Sequence, residues 1–129
     1  QLGNFDWVVL AVPSTPETVG MIGAEELAAM KSTAVLVNIA RGDVVDQAAL
    51  VSALEEKRIE AALLDVTDPE PLPEDHPLWS LANAQITMHL SGRAQTKMFQ
   101  RSADRFIENL ERWHDGEPVA PRMDLTLGY

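Results

Sequence analysis

Residues 34–46, with the sequence Ala-Val-Leu-Val-Asn-Ile-Ala-Arg-Gly-Asp-Val-Val-Asp, decide the fold class of this chain. The apolar run over 34–39 is continuous rather than alternating, which is typical of a strand buried on both faces of a parallel sheet. The run ends in a turn that contains Arg41 and Gly42, and Asp46 is the predicted N-cap of a helix over 46–57. A buried strand followed directly by an amphipathic helix is the repeating unit of an α/β fold.

Similar elements lie on both sides of this unit. Continuous apolar runs at 7–12 and 61–66 and a weaker run at 84–88 predict three more strands, and helical patterns occupy 24–30 and 95–113. The alternation of strands and helices predicts an α/β fold with a parallel sheet covered on both faces. Ligands of such sheets bind beyond the carboxyl ends of the strands, so the residues that follow each run form the candidate site.

Composition narrows the class of protein. The 129 residues, 46% of them hydrophobic, suffice for one domain and exclude a disordered acidic tail. The formal net charge of -10 argues against a nucleic-acid partner, and the lack of a long apolar run or a leader peptide argues against a membrane. No cysteine is present, and we interpret His76 and His114 as structural, so no metal site is expected. These features predict a cytoplasmic protein.

Charged residues follow three of the predicted strands: Arg41, Asp65, Glu70 and His89. Each has an ordinary structural interpretation, as a solvated arginine, a turn-capping carboxylate, a solvated loop acid and a structural histidine. Each also has a chemical one, because arginine binds carboxylates and histidine exchanges protons near neutral pH. A Walker-type phosphate loop, a nucleophile elbow and a glycine-rich dinucleotide fingerprint are absent from the sequence. Single residues therefore leave the function open.

The order of several motifs is more specific than any one of them. The strand at 7–12 leads into Pro-Ser-Thr-Pro-Glu-Thr at 13–18, and residues 38–46 read Asn-x-x-Arg-Gly-x-x-Val-Asp. Leu-Asp-Val and Glu-Pro-Leu-Pro follow within 64–73, then His-Pro-Leu-Trp at 76–79 and Thr-Met-His-Leu-Ser-Gly at 87–92. This series resembles the D-isomer-specific 2-hydroxyacid dehydrogenases over essentially the whole chain, and the ending is similar to their glyoxylate/hydroxypyruvate reductase branch. Met88 and Thr67 depart from the family pattern without removing a catalytic group.

The resemblance implies the C-terminal half of a Rossmann-type parallel sheet with flanking helices, truncated at its N-terminus. Residues 1–129 would form a partial dinucleotide-binding domain, with 93–129 as the C-terminal helix and tail that return towards a missing substrate domain. The implied activity is hydride transfer between NAD or NADP and a small 2-keto or 2-hydroxy acid, such as glyoxylate or hydroxypyruvate. We expect that activity in an intact parent protein, a homodimer, and not in the 129-residue chain alone. The resemblance also implies that the residues that select NAD or NADP would lie upstream of Gln1.

The resemblance also implies roles for individual residues. Arg41 would bind the substrate carboxylate and polarise the keto oxygen, and His89 would exchange a proton with that oxygen. Glu70 would orient the imidazole of His89 and favour its protonated form. Asp65 would accept a hydrogen bond from the nicotinamide carboxamide. The implied cofactor contacts are Val12, Pro13, Thr18, Ile39, Ala40, Arg41, Asp65, His89, Ser91 and Gly92.

Two alternatives to an enzyme fit the same fold. One is a non-enzymatic, nucleotide-sensing binding protein, as in the transcriptional corepressors related to this family. The other is an inactive fragment that only dimerises. The fold cannot separate these alternatives from an enzyme. Retention of Arg41, Glu70 and His89 together favours catalysis, and turnover of a small keto acid would discriminate.

Overall fold

Four strands and two helices make up the first of two compact units in the chain. The computed structural model describes residues 1–92 and 97–122, and its two units are residues 1–90 and 91–129. The first unit contains β1 (Trp7–Leu10), α1 (Ala24–Ala29), β2 (Val35–Asn38), α2 (Gln47–Glu55), β3 (Ala61–Leu64) and β4 (Ala84–Ile86). Short 3-10 helices occupy Leu2–Asn4, Gly42–Val44 and Pro77–Trp79. The second unit contains α3 (Met98–His114).

The strands form a parallel sheet in the order β1-β2-β3-β4, which confirms the predicted fold class. Leu10 pairs with Asn38, Asn38 with Leu64, and Leu64 with Ile86. These four residues are the last of their strands, so all four strands end in one row. The loops that follow them therefore begin along a single edge of the sheet, where ligands of parallel sheets bind.

The two faces of the sheet differ in burial. Leu36 and Ala62 are completely buried in a core that they share with Leu27 of α1 and with residues of α2. On the other face of β1, Trp7 remains 59% exposed and Val9 56% exposed. On the same face, the side chains of β2 and β3 are half-buried, so the exposure of apolar side chains on the strands of the first unit is confined to β1. A continuous apolar run indicates which side chains favour burial. It does not show which other element packs against them.

The helix ends follow from local hydrogen bonds. Asp46, the predicted N-cap, accepts a hydrogen bond from the Ala49 N–H at 3.0 Å and begins α2. In α1, the carboxylate of Glu26 accepts from the Gly23 N–H at 3.1 Å, which satisfies one of the amide groups left open at a helix start. These bonds account for two short helices that have little length of their own to stabilise them.

α3 is amphipathic, and its apolar stripe is exposed. Phe99 is 82% exposed and Trp113 is 71% exposed, and no residue of this helix is buried. The helix ends before Gly116, which has φ +76, a conformation that glycine adopts without strain. Gln95, the predicted start, lies outside the described residues, as do residues 93–96 and 123–129. None of the described helices is long and apolar enough to cross a bilayer.

Candidate active site

A histidine–glutamate pair lies at the carboxyl edge of the sheet. Nδ1 of His89 is 3.1 Å from Oε1 of Glu70 and 3.2 Å from Oε2, so the imidazole faces both carboxylate oxygens. The two side chains are 45% and 42% exposed. A carboxylate accepts hydrogen bonds only, so a pair of this kind places the ring proton on Nδ1. Nε2 is then the nitrogen that can exchange a proton with a bound molecule.

Asp65 holds the main chain that carries His89. The His89 N–H donates to the Asp65 carbonyl oxygen at 2.9 Å, and the Leu90 N–H donates to Oδ1 of Asp65 at 3.0 Å. The Thr87 hydroxyl donates to the same carboxylate oxygen at 2.5 Å. Asp65 is 6% exposed, so these bonds compensate for the removal of a carboxylate from water. They also support His89 in the left-handed region, with φ 53.

Arg41 follows β2 on a turn built by Asn38. The buried amide of Asn38 donates to the Arg41 carbonyl oxygen at 2.9 Å and accepts from the Ala40 N–H at 3.0 Å. The exposed guanidinium of Arg41 donates from Nη1 to the Ala40 carbonyl oxygen at 2.7 Å. A guanidinium carries five N–H donors, so this one bond leaves capacity for a bidentate contact with a carboxylate.

Gly42 brings the Arg41 turn against the Glu70 loop. A Cβ at Gly42 would overlap the Thr67 carbonyl group and the Asp68 nitrogen. Only a glycine allows this approach of two main chains. The Arg41 turn and the loop that leads to Glu70 are consequently in direct contact.

The loop after β1 is held by its own side chains. The Thr18 hydroxyl donates to the Pro13 carbonyl oxygen at 2.7 Å and accepts from the Thr15 N–H at 2.8 Å. Hydrogen bonds from the Thr15 side chain and from its own backbone N–H lower the pKa of Glu17 below its usual value. The Ser14 hydroxyl donates to Oδ2 of Asp43 at 2.6 Å, which ties this loop to the turn after β2.

The other implied cofactor contacts of the first unit follow the strand ends. Val12 is half-buried, Ile39 is 42% exposed and Ala40 is buried. Ser91 and Gly92 follow His89 in sequence as exposed residues of the second unit. A buried carboxylate at Asp65 and an exposed apolar side chain at Ile39 suit a flat ring that bears a carboxamide. The residues present therefore fit the nicotinamide end of a dinucleotide.

Sequence reasoning missed three residues that build this edge. Asn38 lies inside a quoted motif, but no role is predicted for it. An amide at the end of an apolar strand indicates a local hydrogen-bonding role, and the structure shows this amide fully buried. Thr87 begins the motif at 87–92, but its bond to Asp65 could not be predicted, because that partner lies 22 residues away. Gln47, at the start of α2, gave no signal.

A parallel α/β sheet with polar and charged side chains along its carboxyl edge is typical of nucleotide-binding domains. The family model described as "D-isomer specific 2-hydroxyacid dehydrogenase, NAD binding domain" matches residues 1–91. The chain belongs to this family.

Curated relatives point to the reductase branch. A glyoxylate reductase of Korarchaeum cryptofilum is 47% identical over 122 residues, which cover 95% of this chain and 36% of the relative. A glyoxylate/hydroxypyruvate reductase B of Yersinia pestis is 42% identical over 128 residues, 97% of this chain and 39% of the relative. The chain thus spans well under half the length of these relatives.

Solved structures share the fold. A D-isomer specific 2-hydroxyacid dehydrogenase from Xanthobacter autotrophicus Py2, in complex with NADPH and MES, superposes with a TM-score of 0.90 at 42% identity. The match covers 99% of this chain and 52% of that one. An NADPH-dependent glyoxylate/hydroxypyruvate reductase from Sinorhizobium meliloti, in complex with NADP and sulfate, gives a TM-score of 0.88 at 26% identity, with 99% and 41% covered.

Proposed function

We propose that the protein containing this chain is an NAD(P)-dependent oxidoreductase that reduces small 2-keto acids, glyoxylate and hydroxypyruvate foremost. The His89–Glu70 pair carries this proposal, since an imidazole with Nδ1 on a carboxylate is the arrangement of a general acid–base group. The names of the reductase relatives support the substrate class.

Each site residue has a chemical task in this reaction. The guanidinium of Arg41 binds the substrate carboxylate and stabilises the negative charge that develops on the keto oxygen. His89 donates the proton of Nε2 to that oxygen during reduction and takes it back during oxidation. Glu70 stabilises the imidazole in the orientation that presents Nε2 and offsets its positive charge.

Three residues are proposed to hold the nicotinamide end of the cofactor. Asp65 accepts from the carboxamide, while the main chain of Ile39 and Ala40 contacts the nicotinamide end. The pairing of Asp65 with Thr87 and Leu90 keeps its carboxylate fixed, so the ring face presented to the substrate is fixed as well. When bound, the cofactor supplies the hydride for reduction. Val12, Pro13 and Thr18 on the β1 loop, and Ser91 and Gly92 after His89, complete the proposed contacts.

The direct test is a panel of small keto acids with NADH and NADPH, using the intact protein. We expect oxidation of at least one nicotinamide with glyoxylate or hydroxypyruvate. Cofactor binding without turnover of any keto acid would contradict the proposed reductase activity. It would favour the alternative of a nucleotide-sensing binding protein. Structural neighbours bound to NADPH, NADP or NAD support testing both cofactors.

Assembly and location belong to the same proposal. We propose a homodimer in the cytoplasm, because the family is typically dimeric and the chain contains no cysteine. Light scattering on the intact protein and fractionation of cells check these two points. A monomer, or recovery outside the cytoplasmic fraction, would contradict them.

A further inference from the structure

The side chain of Gln47 holds the main chain that leads to Glu70. Nε2 of Gln47 donates to the Asp68 carbonyl oxygen at 2.7 Å, and the Asp68 N–H donates to Oε1 of Gln47 at 3.1 Å. The two bonds use both ends of one amide, so they fix its orientation together with the position of Asp68. Asp68 lies two residues before Glu70.

Gly42 contacts the same stretch of main chain. Its close approach to Thr67 and Asp68 places the Arg41 turn on one side of this stretch, and Gln47 binds it five residues further along. The segment 41–47 therefore contacts the chain at 67–68 in two places. Two contacts restrict rotation as well as translation, so the loop of Glu70 has a defined position relative to Arg41.

His76 does not determine the orientation of the Gln47 amide. Its Nδ1 accepts from the Leu78 N–H at 3.2 Å, and its Nε2 lies 3.2 Å from Nε2 of Gln47. A neutral imidazole has one nitrogen that accepts, so His76 can accept from Leu78 or from Gln47 but not from both at once. The paired bonds to Asp68 therefore orient the amide.

We propose that Gln47 is a positioning residue for the Glu70–His89 pair. By fixing Asp68 against the Arg41 segment, Gln47 sets where the Glu70 carboxylate meets Nδ1 of His89. The role rests on the proposed function of that pair, and it is exerted through the main chain. A catalytic group displaced by about an ångström can lose a large factor in rate, so this indirect contact affects turnover.

Two substitutions in the intact protein test this role. Gln47→Ala removes both bonds to Asp68, and the isosteric Gln47→Glu keeps the acceptor but turns a second carboxylate oxygen towards the Asp68 carbonyl oxygen. We expect kcat for keto-acid reduction to fall roughly tenfold in each, with the KM for the nicotinamide cofactor within about twofold of wild type. Gln85→Ala removes the same side chain from an exposed position of β4 and should leave both constants unchanged.

A spectroscopic readout separates positioning from turnover. In NMR spectra, the ring resonances of His89 should move in Gln47→Ala in the same direction as in Glu70→Gln, while those of His114 stay in place. Folded Gln47 variants with unchanged His89 resonances, or an equal shift in Gln85→Ala, would overturn the proposal. If the alanine variant does not fold, Gln47→Glu decides by the same measurement. A wild-type protein that turns over no keto acid would refute the proposed function, and the His89 resonances would still decide whether Gln47 positions the pair.

Discussion

The imidazole of His89 meets a carboxylate on one side and solvent on the other, which makes it the residue on which the proposed chemistry depends. His89→Gln keeps a side chain of similar length but removes the imidazole that would exchange the proton. General acid–base catalysis contributes roughly 100- to 10,000-fold, so we expect kcat for keto-acid reduction to fall by a factor in that range. Steady-state kinetics in the intact protein measure it.

His114→Gln is the matched control for this substitution. His114 is the last residue of α3 and pairs with the exposed carboxylate of Asp115 at 3.0 Å. An exposed pair of this kind contributes little, so kcat should not change. Equal losses in both variants would mean that His89 is not the acid–base group.

Arg41 tests the substrate side of the site. Lysine keeps the charge but not the planar fork of donors, so Arg41→Lys should raise the KM for the keto acid at least tenfold, at about 1.4 kcal/mol per factor of ten. The KM for the nicotinamide should change less. Arg58→Lys, at an exposed arginine paired with Glu56 at 2.6 Å, is the control. If the KM for the keto acid were the same in Arg41→Lys and wild type, Arg41 would not be the residue that binds the substrate carboxylate.

At the scale of elements, the contact between the β2 turn and the β3 loop controls stability. A methyl group at Gly42 would overlap the main chain of Thr67 and Asp68, which cannot move aside as a flexible side chain can. Gly42→Ala should therefore destabilise the fold by about 1–3 kcal/mol, the range for overpacking. Urea unfolding measures the change in the free energy of unfolding. Gly92→Ala, where no atom of the described residues beyond its chain neighbours lies within 4 Å of the added Cβ, should leave it nearly unchanged, and a comparable loss there would contradict the explanation.

The order and type of the elements could be predicted from the sequence, because three strands lie in apolar runs and the two longer helices have a 3.6-residue period. The ends of strands could not. Val12 extends the apolar run of β1, yet the last paired residues are Leu10 and Asn38. Beyond Asn38, the Ala40 N–H and the Arg41 carbonyl oxygen bond to the Asn38 amide, so this chain turns away from the ladder.

In the candidate site as well, some residues could be predicted from the sequence and others could not. The motif order predicts Arg41, Glu70 and His89 as site residues, and the structure brings Glu70 and His89 into contact. The supports of these residues are pairs distant in sequence, such as Gln47 with Asp68 and Thr87 with Asp65. Such pairs exist only after folding, and polar residues at these positions look solvated when the sequence is considered alone.

At the scale of the whole molecule, apolar surface is the dominant feature of the described chain. Trp7 and Val9 are exposed on the sheet of the first unit, and Phe99 and Trp113 are exposed on α3 of the second unit. Because exposed apolar side chains favour association, a protein consisting of these 129 residues alone should self-associate and show no keto-acid reduction. Sedimentation at several concentrations checks the first point, and NADPH and NADH oxidation the second.

Phe106→Ser tests whether the apolar stripe of α3 causes the self-association. It removes one exposed aromatic ring from the α3 stripe without disturbing a buried contact, since Phe106 is 67% exposed. The variant should associate more weakly than the unchanged chain. A monomeric 129-residue chain, or one that reduces glyoxylate, would contradict the expectation for the whole molecule.

The left-handed backbone of His89 lowers the stability of the fold, whereas its side chain is needed for the proposed reaction. At φ 53, a side chain lowers the free energy of unfolding by about 1–2 kcal/mol relative to glycine. The exposed pairing with Glu70 stabilises the fold by less than that. His89→Gly should therefore raise the melting temperature slightly while it abolishes reduction, and calorimetry would show it; a lowered melting temperature would contradict this trade-off. A directed-evolution campaign that selected for heat resistance alone would discard the histidine, so thermostable libraries of this protein need an activity screen in every round.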